Sequence, residues 1–309
     1  MQKLPLKAVL LAIFCNVLFG SAGPFIKLGY AHFNIESDVF SNILFAGVRF
    51  FTSGLIVLTV DAIRRKSLPT VHRENRLNIW IIALTYTFAQ YLCNYIGLSN
   101  VTGSVASVLS STTTFFSLIA AHFVYQNDKL SLRKVLGCII GFAGITIACT
   151  AGGDLGGFSF LGEGMMLAGA VFFTVGSVFL KKGGRRDQGF TLTAYNLTIG
   201  GGLLTVVGLC GFSADLRISF AGILVLLYLI FVSSVGFTLW SILLSKYPIG
   251  LLSVFNFVIP ISGTIISGII LRENIFTLQN ILSLLLVTVG IIVVNKTVAK
   301  RSAAAEEAS

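Results

Sequence analysis

Charge is scarce in this chain. Lys, Arg, Asp and Glu make up 11% of its 309 residues, and only 12 residues are acidic; a soluble domain carries about 25% charged residues. Histidine is limited to three and tryptophan to two. No HExxH, CxxC or carboxylate-rich cluster occurs, which argues against hydrolytic or metal chemistry. Without a GxxxxGK[ST] loop, the chain by itself does not drive anything with ATP. No nucleophile and base stand at a recognisable spacing, so an enzyme is not expected, and neither is a cofactor. The five cysteines, Cys15, Cys93, Cys138, Cys149 and Cys210, all fall in apolar stretches and read as small buried residues.

What is abundant is apolar surface. Hydrophobic residues reach 55% and the mean hydropathy is +0.90. A chain of this composition cannot hide its apolar surface from water by folding on itself, so it reads as an integral membrane protein. Apolar segments recur near residues 7–29, 38–60, 77–98, 103–125, 132–151, 159–180, 190–211, 219–244, 250–271 and 277–295. They are continuously apolar, whereas a membrane strand alternates over about ten residues. The expected class is therefore all-α, with ten transmembrane helices. The first segment is longer than a signal-peptide core and reads as an uncleaved helix.

The net charge of +10 is unevenly distributed. With the N-terminus in the cytoplasm, 18 of the 22 basic residues fall on that side, among them Arg64, Arg65 and Lys66, Lys129, Arg133 and Lys134, and Lys181, Lys182, Arg185 and Arg186. The bias places both termini in the cytoplasm and explains the basic clusters as topology signals, with no nucleic-acid partner expected. A plasma-membrane location is expected; monomer and homodimer both remain open.

An internal repeat organises the segments. Displaced by 146 residues, the third to fifth overlie the eighth to tenth without a gap: Ser107 meets Ser253, Leu136 meets Leu282, and Gly144 meets Gly290. The first and sixth pair at an offset of 154, where PFIKLG (Pro24–Gly29) meets VFLKKG (Val178–Gly183). Five segments per half is an odd number, so the second half enters the membrane inverted. The expected units are residues 1–151, 152–296 and a polar cytoplasmic tail, 297–309. Inverted repeats are an architecture of secondary transporters, with a site near the midplane between the halves.

The chain resembles the drug/metabolite transporter superfamily, in particular its ten-helix EamA-type members. The resemblance rests on FAGVRFFTSGLIVL (Phe45–Leu58), the span from Tyr91 through Ile147, its copy from Val254 to Val294, and GEGMMLAGAVFF (Gly162–Phe173). It implies secondary transport, with export of amino acids or related metabolites as the leading expectation. The sequence departs from the family pattern in the first half. Thr114 stands where the family often has a proline, and Tyr125–Asp128 replaces the first acidic turn, while Pro260 and Arg272–Glu273 keep the second-half features.

Candidate site residues follow from polarity inside the segments. On a helical wheel the fourth places Ser107, Ser110, Ser111 and Thr114 on one side, against Val105, Val108, Leu109 and Phe115. That stripe suits either close helix packing or a cavity wall. Tyr86, Gln90 and Asn94 share a face of the third segment, and amides are costly against lipid. Trp240 occupies the position matching Asn94, and Asn256 the one matching Ser110. Asn16, Tyr195 and Asn196 are further cavity candidates. Pro260 should kink the ninth helix and could gate it. Arg49 lies within the second segment, where a charge costs roughly 2.5–3.5 kcal/mol, and reads first as a structural tie. Glu163 and His122 could couple protons but are better explained by capping and by a buried hydrogen bond. The expected function is alternating-access transport of a small polar metabolite. Sugars, nucleotide sugars and drug-like cations are alternative substrates, and a non-transporting scaffold or receptor is the rival class.

Overall fold

The computed structural model describes residues 5–36, 38–124, 132–150, 158–183, 189–213, 215–246, 255–256 and 258–307. Among them there is no strand, and ten helical segments follow one another. They are the first (Leu6–Phe33), second (Val39–Arg65), third (76–99), fourth (103–124), fifth (Leu132–Thr150), sixth (160–183), seventh (Gly189–Cys210), eighth (220–246), ninth (Val258–Ile270) and tenth (Leu278–Glu307). Five helices are long and apolar enough to cross a membrane, and three shorter apolar helices join them. Large apolar side chains such as Phe14, Phe51, Leu55, Leu224, Leu227 and Leu285 lie exposed on their flanks, as a lipid-facing surface requires.

The inverted repeat is visible in how equivalent helices meet. The second and seventh pack along their whole lengths, and one ascends as the other descends. Phe40 lies by Gly211, Leu44 by Gly208, Gly47 by Thr205, Phe51 by Gly201, Gly54 by Thr198, and Asp61 by Thr191. The fifth and tenth do the same, with Gly144 against Ser283 and Val287, and Gly290 against Gly137 and Gly141. Equivalent helices running antiparallel are what an inverted pair of five-helix halves produces. Close backbone approach through small residues supplies the packing that the hydrophobic effect does not supply inside a bilayer.

Two ends fall out of these contacts. At one, Arg217 N donates to Phe33 O, Asn42 donates to Ser99, and Ser219 donates to His32 O. At the other, near the chain's beginning, Tyr195 donates to Pro69 O and Arg65 to Thr191.

Segment ends differ from expectation where charges pair. The second helix does not stop at 60 but runs through Arg65. Buried Asp61 accepts from Arg65 Nε at 2.9 Å and from Thr191 at 2.7 Å, so the acid is satisfied without leaving the helix. The tenth continues through Glu307 instead of ending near 295. Pro260 lies buried within the described part of the ninth helix, Val258–Ile270. Cys15, Cys93 and Cys138 are buried, but Cys210, at the end of the seventh helix, is exposed.

Candidate functional site

Arg49 is 2% exposed and fully engaged. Its Nε donates to Leu229 O at 3.2 Å and Ser233 Oγ at 2.9 Å; its Nη1 donates to Tyr95 OH at 3.2 Å. The Phe50 ring lies under the guanidinium, with 4.7 Å to its centroid. The charge therefore ties the second helix to the third and eighth. Leu229 O accepts from Val232 N as well, where the eighth helix passes into a π-turn at Val232–Gly236.

This tie has a counterpart in the other half. The third helix carries its own π-segment at Ala83–Ala89, and an offset of 146 lays it over 229–235. Thr87, the equivalent of Ser233, donates to Asn196 Oδ1 at 2.9 Å. Asn196 is the equivalent of Arg49 at an offset of 147. One turn on, Ser53 donates to Ile230 O, and its equivalent Gly200 lies against Ala83 O and Thr87. Each half thus anchors a π-turned helix of the other half through buried polar contacts, three from Arg49 and Ser53 to the eighth helix and one between Thr87 and Asn196. Neither hydroxyl nor the π-turns are signalled by periodicity, and only the repeat offset could have drawn attention to Thr87 and Ser233. We expect Thr87→Val to leave Asn196 Oδ1 unpartnered and to cost about 1–3 kcal/mol. Thermal unfolding in detergent measures it, and adding Asn196→Leu should recover much of the loss.

The polar face of the third helix meets the sixth. Tyr86 stacks on Phe173 with centroids 4.8 Å apart and its backbone abuts Gly176, while Asn94 Oδ1 lies against Gly169. Gln90 is buried and its Oε1 has no partner. Trp240 is half-buried and meets Phe19 edge-on at 6.4 Å, which places it beside the first helix. Asn16 is buried there too; its amide nitrogen donates to Ala12 O at 2.7 Å while Oδ1 is unpartnered. Glu163 accepts from Ser159 N at 2.9 Å, and Ser159 Oγ accepts from Gly162 N, a reciprocal cap at the entry to the sixth helix. The His122 side chain lies outside the described residues.

The fourth helix breaks at Ser111, between Gly103–Ser110 and Thr112–Val124. Amides there bond three residues back, Ser111 N to Val108 O and Thr114 N to Ser111 O, both at 3.0 Å. The ninth helix begins at Val258, the repeat equivalent of Thr112, and Asn256 lies half-buried just before it. Exposure around the fourth helix is the reverse of a lipid-facing helix. Val105, Val108, Leu109 and Phe115 are packed in the protein core, whereas Ser110 is exposed and Thr114 half-buried. Ser107 and Ser110 donate to carbonyls four residues back, at 2.8 Å each, and so mask their own polarity. Ser111 Oγ is buried without a partner. Thr112, on the apolar side of the wheel, is fully buried and donates to Leu109 O. Pro260, also buried, is the repeat equivalent of Thr114.

Comparison with known proteins converges on one description. The model of the EamA-like transporter family matches residues 6–150 and again 160–296. The chain is 29% identical over 313 residues to the uncharacterized transporter YvbV of Bacillus subtilis, covering 98% of this chain and 97% of that protein. It is also 29% identical over 180 residues to the uncharacterized inner membrane transporter YedA of Escherichia coli, covering 58% of this chain and 54% of the relative. A crystal structure with a TM-score of 0.69 and 18% identity covers 95% of this chain and 98% of its own, a likeness of fold.

Proposed function

Because the chain belongs to the EamA-like transporter family, we propose that it moves a small neutral or zwitterionic metabolite by alternating access, as an exporter in the cell membrane with both termini in the cytoplasm. The observation that carries this reading is the exposure pattern of the fourth helix. Its apolar side is packed in protein; on the hydroxyl side Ser107 and Ser111 are buried while Ser110 is exposed and Thr114 half-buried, an opening that suits a wetted path and not lipid. The path runs beside the break in the fourth helix at Ser111, the kind of interruption where transporters place substrate. Polar atoms without protein partners, Asn16 Oδ1, Gln90 Oε1 and Ser111 Oγ, are available near the bundle interior. The buried cation Arg49 is committed to three protein acceptors. Uncharged recognition groups favour amino acids or related solutes over multiply charged nucleotide sugars or sugar phosphates. The basic bias of one end supports the cytoplasmic placement of the termini.

Counterflow in proteoliposomes with labelled amino acids, amines and sugars tests the proposal. Flux of at least one such solute is expected, and no flux under any gradient would sink it. A blocking variant tests the path itself. Ser110→Trp should lower flux by about tenfold or more while the protein stays folded, and Ser110→Ala should change it by less than about twofold. Undiminished flux in a folded Ser110→Trp protein would move the path elsewhere.

A further inference from the structure

At the bundle end opposite the chain termini, one carboxylate joins the fourth and ninth helices. The ninth helix ends at Ile270, and Arg272 takes a left-handed conformation, φ 54°, that turns the chain back over the helix end. Glu273 is thereby returned to the helix it follows. Its Oε2 accepts from Ser267 Oγ at 2.8 Å, and its Oε1 accepts from Gly103 N at 2.8 Å, at the first turn of the fourth helix. The approach is close: a Cβ on Gly103 would lie 2.5 Å from Ser267 Oγ and would displace that hydroxyl. Lower down, the same two helices close on each other at Gly263 and Ser107, with Gly20 of the first helix alongside. The Lys27 ammonium of the first helix is within electrostatic reach of Glu273 and of Glu36, so the carboxylate is not an isolated charge.

The other half of the repeat does not carry the residues of this contact. At an offset of 146, Gly103, Ser267 and Glu273 correspond to Ile249, Ala121 and Asn127. The carboxylate, its hydroxyl donor and the glycine are all replaced. The residues that make this fastening are therefore present in the sequence of one half only.

We propose that Glu273 is a latch that holds the extracytoplasmic end of the path shut and biases the resting protein toward its inward-facing state. The proposal rests on the transport reading and on the charge-based topology above. Opening to the outside must separate the fourth and ninth helices at this end, so the bond from Gly103 N to Glu273 Oε1 must break, while the Ser267 bond, made within the ninth helix and its turn, holds the carboxylate in place for it. A contact made in only one of two states shifts their populations by its full differential free energy.

The test measures access, not flux. Thr264 lies one turn inward from Ser267, is buried, and its hydroxyl has no partner, so Thr264→Cys is a small change. Exposed Cys210 is replaced by Ser to remove background. In intact cells, labelling of Cys at 264 by a membrane-impermeant maleimide should be slow in the parent and about tenfold faster with Glu273→Ala. Gly103→Ala, which wedges the same contact while keeping the carboxylate, should act in the same direction. Should Glu273→Ala fail to accumulate, Ser267→Ala removes one bond only and should raise the rate by about threefold. Parental labelling rates in Gly103→Ala and Ser267→Ala would overturn the latch. Rapid external labelling of the parent would overturn it as well. Absence of solute flux would count against transport, while the labelling comparison would still report whether the latch exists.

Discussion

Arg49→Ala is expected to lower stability by about 3–5 kcal/mol, because three buried acceptors each lose a donor at about 1–3 kcal/mol apiece. The guanidinium fills the junction of the second, third and eighth helices, and it is the donor for Leu229 O, Ser233 Oγ and Tyr95 OH. Alanine would leave those acceptors buried beside a void next to the Phe50 and Tyr91 rings, whose centroids are 4.0 Å apart. At roughly 2–4 °C per kcal/mol, the unfolding midpoint in mild detergent should fall by about 10 °C. Arg49→Lys keeps the charge but loses the planar fork that reaches two helices at once, so it should fall between parent and alanine. A midpoint for Arg49→Ala close to that of the parent, combined with lost solute flux, would mean that the guanidinium serves a passing anion and not the fold.

Much of this architecture is legible in sequence because a bilayer imposes a coarse rule: each crossing needs a long apolar run. The inversion followed from parity and the 146-residue register, and the antiparallel pairing of Gly47 with Thr205 and Gly201 with Phe51 agrees with it. What escaped detection is local. Asp61 looked like the start of a loop because a lone carboxylate ends an apolar window; its pairing with Arg65 and Thr191 depends on a helix more than a hundred residues away. The π-turns at Ala83–Ala89 and Val232–Gly236 carry no compositional mark. They show instead as a polar contact, Thr87 to Asn196 and Arg49 to Ser233, repeated across the halves. The wheel of the fourth helix sorted its side chains correctly by polarity but could not say which side the protein covers. Only tertiary packing decides it: Val105, Val108 and Leu109 are buried, and on the hydroxyl side Ser107 and Ser111 are buried too while Ser110 is exposed.

The contact between the second and seventh helices gives the other large effect, and it separates two adjacent glycines. A Cβ on Gly201 would lie 2.3 Å from Phe51 N and 2.7 Å from Phe50 C, both backbone atoms that no rotamer change can move. At Gly202 the nearest atoms are ring carbons of Phe51 at 3.6 and 3.7 Å, ordinary contact distances. Alanine favours a helix over glycine by about 1 kcal/mol at either site. At Gly202 that preference is unopposed, so Gly202→Ala should be neutral or slightly stabilising. At Gly201 the helices must separate, and overpacking costs typically about 1–3 kcal/mol and sometimes more. The loss should lie at the upper end, because Gly54 against Thr198 and Gly208 against Leu44 are equally close on the same seam and separate together. Gly201→Leu should abolish accumulation of folded protein, read as loss of the monodisperse peak in detergent. Equal midpoints for Gly201→Ala and Gly202→Ala would show that the two halves do not meet along this seam, and the antiparallel pairing from Leu44 to Asp61 would have to be redrawn.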